Sequence, residues 1–126
     1  MVAKLKNECG IHYTKKIESM LKDFRLSLEL NSDFHQQIEA IFHEDLQFQE
    51  NYFEMKVHVL TTGFWPFEQI HTCRLPDQII SWKQFFEEFY SSKFKGKRLK
   101  WITNYGIVNL RANLNGKKKE FICSTN

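Results

Sequence analysis

Residues 55–67 read MKVHVLTTGFWPF. Met55, Val57 and Val59 alternate with Lys56 and His58, the two-residue period of a strand. Thr61 and Thr62 prolong the β-branched run. Gly63, Phe64, Trp65 and Pro66 then break it, because glycine permits a turn most residues resist and proline has no N–H for a ladder. The run also separates two textures, helical period before it and a helix followed by a sheet after it. It therefore places a domain boundary near residues 52–54 and divides the chain into 1–53 and 54–126. Phe64, Trp65 and Phe67 crowd the broken end. The expected arrangement is a core corner, with these rings folded back on an aromatic helix around Phe85 and Phe89.

Upstream, Ile17, Met20, Leu21 and Phe24 fall at 0, 3, 4 and 7, one apolar helical stripe. Thr14 is its candidate N-cap. Phe34, Ile38, Ile41 and Phe42 form a second stripe, with Asn31-Ser32-Asp33 as its start signal. A short link around residues 26–30 makes the pair a helical hairpin. Two such helices need further helices to bury both stripes, which points to part of a helical bundle.

Downstream, Leu75-Pro76-Asp77 reads as a turn or helix entry. Trp82, Phe85, Phe86, Phe89 and Tyr90 then occupy one helical face. Ser81 and Gln84 match a capping box, and Gly96 is a natural stop. Leu99 and Trp101 alternate with Lys100 as a first meander strand. Val108, Leu110, Ala112 and Leu114 alternate with polar residues up to Asn115-Gly116, the strongest short hairpin signal. A two-residue turn there sets Arg111 opposite Glu120, Leu110 opposite Phe121 and Val108 opposite Cys123, which makes Cys123 a core residue. The fold class is α+β: a helical hairpin, then a small α/β domain with an antiparallel sheet of about four strands and one aromatic-faced helix.

The composition narrows the function. Twelve Phe and an aromatic share of 15% in 126 residues argue for a packed core rather than disorder. Three widely spaced cysteines, Cys9, Cys73 and Cys123, make a disulfide framework improbable and fit a reducing compartment. No apolar run approaches the ~18 residues of a membrane span. The expected location is the cytoplasm or the nucleus. The five glycines are scattered, so no phosphate loop forms, and no hydrolase or metalloprotease motif occurs. His71 and Cys73 lack a second ligand pair, so neither metal nor cofactor is expected. His43-Glu44-Asp45 point to different faces of a helix, which argues against acid–base chemistry there. The basic turns at residues 93–100 and 117–119 admit an alternative reading as a nucleic-acid-binding module, although a net charge of +3 does not by itself imply one. The run over 55–62 has only Lys56 and His58 as gatekeepers, so it is a candidate edge for an added partner strand.

Taken together and in order, Cys9-Gly10, Tyr13-Thr14, Lys22-Asp23, Leu30-Asn31, Trp65-Pro66, Phe89-Tyr90, Gly96 and Leu99-x-Trp101 are specific. Over nearly its whole length the chain resembles the cullin homology region of the cullin family. The resemblance implies the end of a four-helix bundle followed by the cullin α/β domain. It implies a non-catalytic scaffold of a cullin–RING E3 ubiquitin ligase, in which the α/β domain accepts a β-strand from a zinc-bearing RING-box protein. It implies a partner-binding surface of Val57, Val59, Leu60, Trp65, Leu99, Trp101, Leu110 and Phe121, with Phe85 and Phe89 beneath. The family's N-terminal helical repeats and C-terminal winged-helix segment do not occur in this sequence, so a fragmentary or truncated cullin is expected.

Overall fold

The computed structural model describes residues 4, 7, 9–43, 53–67 and 73–124. The elements are helix α1 (Ile11–Phe42), helix α2 (Asp77–Lys93) and strands β1 (Ile107–Leu114) and β2 (Lys117–Ser124). They fall into two compact units, Met1–Pro66 and Phe67–Asn126. The extended segment 54–66, assigned from the sequence to the second domain, packs in the first unit.

Helix α1 corrects the expected helical hairpin. It runs unbroken for 32 residues, about 48 Å at 1.5 Å per residue. Between Gly10 and Gly63 the chain has no glycine or proline to stop it. Asn31, Ser32 and Asp33 lie inside this helix, where weak propensity costs less than about 1 kcal/mol each. Thr14 is not the N-cap. Gly10 is, and the Thr14 hydroxyl instead donates back to the Gly10 and Ile11 carbonyls at 3.2 and 3.0 Å. The buried face is also not the first apolar stripe. It carries Thr14, Asp23, Ser27, Leu30, Phe34 and Ile38, while Leu21 and Phe24 are exposed. Burying Leu30 and Phe34 contributes roughly 1.5–3 kcal/mol each.

Helix α2 begins four residues before the proposed capping box. Pro76 is the N-cap, Asp77 opens the first turn, and the Ser81 hydroxyl donates to the Asp77 carbonyl at 3.1 Å. Trp82, Phe86 and Tyr90 are its buried stripe, whereas Phe85 is exposed and Phe89 half-buried. The helix ends with the Phe94 N–H on the Tyr90 carbonyl at 2.8 Å, and Gly96 follows at φ 85°.

Strands β1 and β2 pair antiparallel in the expected register, with Leu114 opposite Lys117, Leu110 opposite Phe121 and Val108 opposite Cys123. Asn115 and Gly116 both have positive φ, 52° and 76°, as a type I′ turn requires. Arg111 meets Glu120 at 2.9 Å. Both side chains are exposed, so the pair adds little. Cys123 is exposed rather than in the core. Among the described residues the sheet has two strands, not about four. Residues 97–103 and 53–61 are not strands.

Candidate functional site

The segment 55–61 is extended, and among the described residues its neighbour is a helix, not a strand. Asn31, Ser27 and Asp23 stand at four-residue intervals on α1, so their side chains stack along one face. The Asn31 side chain treats Val57 as a paired strand would: its Nδ2 donates to the Val57 carbonyl at 2.7 Å and its Oδ1 accepts the Val57 N–H at 2.8 Å. One turn earlier, the Ser27 Oγ accepts the Val59 N–H at 2.8 Å. Its single proton faces the Asp23 and Val59 carbonyls, at 2.8 and 3.1 Å. One turn earlier again, the Asp23 carboxylate accepts the Thr61 N–H at 2.7 Å, the Thr61 hydroxyl at 2.7 Å and the Trp65 indole N–H at 2.9 Å.

The match is geometric. Four helical residues rise about 6.0 Å and two extended residues about 6.6 Å, so three rungs accumulate only about 1.2 Å of mismatch. Side-chain reach absorbs that. The next position on the helix face is His35, where the ladder stops. His35 Nδ1 lies 2.6 Å from the Asn31 carbonyl, which requires the ring proton on Nδ1. Its Nε2 is buried with no hydrogen-bond partner.

Asp23 is 7% exposed. Burial by itself pushes its pKa up, but the bonds from the Thr61 backbone, Trp65 and the Thr61 hydroxyl outweigh it and hold the carboxyl below its ordinary value.

Peptide groups of successive residues in an extended chain point to opposite edges. Since Val57, Val59 and Thr61 face α1, those of Lys56, His58 and Leu60 face away. Among the described residues their backbone N–H and C=O groups make no hydrogen bond. A groove of about 380 Å³ lies between α1 and the segment, lined by Leu28, His35, Glu39, Lys56 and His58 among others. The His58 ring stacks on Phe24, centroids 6.3 Å apart.

A family model described as the cullin alpha+beta domain matches residues 59–126, more than half of the chain. The chain belongs to the cullin family. A second model, the cullin alpha solenoid domain, matches residues 1–31. Cullin-3 of Dictyostelium discoideum is 38% identical over 125 residues, which is 99% of this chain and 16% of that protein. Cullin-4A of Homo sapiens is 35% identical over 121 residues, 96% of this chain and 15% of that protein. Cullin-1 of Oryza sativa subsp. japonica is 32% identical over 125 residues, 99% of this chain and 16% of that protein. The chain thus spans about 16% of the length of such cullins.

Of the residues assigned to a cullin-like docking surface, Val57, Val59, Leu60 and Trp65 come together along the helix-held segment. The others lie in the second unit. Leu110 and Phe121 form a cross-strand pair, 50% and 44% exposed. Leu99 is half-buried. Trp101 is not on a strand. Its ring packs edge-on against Phe86, centroids 6.0 Å apart, its N–H donates to Glu87, and the Lys83 ammonium lies 5.4 Å from its ring centre. Trp65 braces the segment against Asp23 on α1. Phe67 packs with Tyr105, centroids 5.3 Å apart. His71, Glu44 and Asp45 lie outside the described residues.

Sequence reasoning missed Asp23, Ser27 and Asn31. The signal was present, three short polar side chains at 0, 4 and 8 on a helix, followed by a period-2 run with no strand partner in sight.

Proposed function

We propose that this chain is a scaffold module of a cullin–RING E3 ubiquitin ligase, and that it docks a RING-box protein by β-strand addition. The observation that carries this reading is the outward edge of residues 56–60. An extended segment whose peptide groups at Lys56, His58 and Leu60 are unengaged among the described residues is what an added strand requires. Family membership supports the same reading. The module contributes no reacting group. It works by holding the partner's RING at high effective concentration near its target. The cytoplasm or nucleus is the proposed location. The division at residues 53 and 54 belongs to this reading too, and the family match supports it from residue 59 onward.

The remaining docking positions proposed are Leu99, Trp101, Leu110 and Phe121. Nucleic-acid binding through the basic turns is less favoured, since Lys93 and Lys97 lie over the chain's own Phe89 and Phe94 rings, at 5.7 and 4.8 Å from the centroids.

The test is co-expression with a RING-box protein followed by size-exclusion chromatography. The pair is expected to co-elute. His58→Pro removes one outward N–H and the ring stacked on Phe24 but leaves every hydrogen bond to α1 in place, so it is expected to abolish co-elution with the helical circular dichroism unchanged. A folded chain that elutes alone overturns the proposal.

A further inference from the structure

We infer that Asp23, Ser27 and Asn31 act as positioning residues: they set the register and the outward edge of residues 57–61, taking the place of a neighbouring strand. As regards docking, the inference deepens the strand-addition reading and rests on it.

Each of the three makes contacts that a strand would make. Asn31 offers a donor and an acceptor to one residue, as a narrow antiparallel pair does. Ser27 accepts from Val59 and Asp23 accepts from Thr61, with the same two-residue step. This choice has a consequence for the other edge. An extended chain offers alternate peptide groups to each side, so binding 57, 59 and 61 inward leaves 56, 58 and 60 outward. A slip of one residue would reverse both sets and turn every side chain to the opposite face. The ladder is thus a register device. The Trp65 N–H on Asp23 anchors its far end, just after the Gly63 turn at φ 89°. An incoming strand meets an edge already ordered, so its binding does not carry the cost of straightening the segment.

Residue-resolved hydrogen exchange on the chain separates the two ideas. Alone, the amides of Val57, Val59 and Thr61 are expected to exchange slowly and those of Lys56, His58 and Leu60 quickly. Ser27→Ala and Asn31→Leu should each lower protection at their own rung, Val59 or Val57, by about tenfold or more, with the amides of α1 unchanged. Ser27→Thr keeps the hydroxyl and should restore it. Binding of a RING-box protein should then slow the outward set, and the ladder variants should bind it roughly five- to a hundredfold more weakly. Uniform exchange along 56–61 in the unsubstituted chain, or rung protection indifferent to Ser27→Ala and Asn31→Leu, overturns the ladder whatever the partner does. Full-affinity binding by variants that have lost rung protection overturns its positioning role. An alternating pattern with no slowing of His58 and Leu60 by the partner overturns strand addition and leaves the ladder standing.

Discussion

Asp23 is a buried carboxylate held by three donors, and each comes from residues 38 or more positions along the chain. Because its folded pKa lies below the unfolded one, its stabilisation is complete above the unfolded value and is lost as pH falls through the folded value. Trp65→Phe keeps the ring and deletes one donor. It is expected to cost roughly 1.5–3 kcal/mol at neutral pH, the range for a hydrogen bond to a charged group. It should also raise the Asp23 pKa, so the cost shrinks below the ordinary carboxylate range. Urea denaturation at both pH values checks this; a penalty that grows in acid contradicts it. The sequence placed Trp65 at a core corner and, through the family resemblance, in the docking surface. It did not reveal the carboxylate that Trp65 meets, since nothing local connects residue 65 to residue 23.

Among the elements, the β1–β2 hairpin was legible in its register, though not in the burial expected of Cys123. Its period, its Asn115-Gly116 turn and its Arg111–Glu120 pair each specify the register, and all three agree. Gly116→Ala puts a Cβ at φ 76°, with open space around it, so the cost is backbone strain alone. A loss of somewhat more than about 1 kcal/mol is expected, large for a two-stranded ribbon of marginal stability. Cross-strand contacts between Leu110 and Phe121 by nuclear magnetic resonance should weaken. Helix α1 was only half legible. Its second apolar stripe placed Phe34 and Ile38 correctly, but Asn31-Ser32-Asp33 reads as a start signal in sequence and is helix interior in the fold. Polar residues that favour caps also tolerate a helix interior when their side chains have a partner, and Asn31 has Val57. Likewise Ser81 resembled an N-cap, although Pro76 and Asp77 had already begun α2.

Over the whole molecule each unit has its own buried stripe, Leu30, Phe34 and Ile38 in one and Trp82, Phe86 and Tyr90 in the other. Many large apolar side chains remain at the surface, including Leu21 at 49% and Ile41 at 62% exposure on α1. The chain on its own is expected to bind a hydrophobic dye such as ANS. Leu21→Lys with Ile41→Lys should reduce that binding while changing stability by less than about 0.5 kcal/mol per site, as befits exposed positions. A large loss of stability instead would mean that these side chains are buried in solution. The described part of the chain contains no helix long and apolar enough to cross a membrane.

By itself the sequence determined what local period and turn chemistry can determine: the hairpin register, the aromatic stripe of α2, the extended run over 55–61 and the family. These depend on residues within a few positions of one another, and the backbone repeats of 2 and 3.6 translate spacing directly into a face. Only the tertiary structure decided what lies beside the extended run. A two-residue period says that alternate peptide groups share an edge, but it is the same for a run paired with a strand and a run held by helix side chains. The commensurate rise of four helical and two extended residues made Asp23, Ser27 and Asn31 the neighbours of MKVHVLTTGFWPF, and so decided which of its edges faces outward.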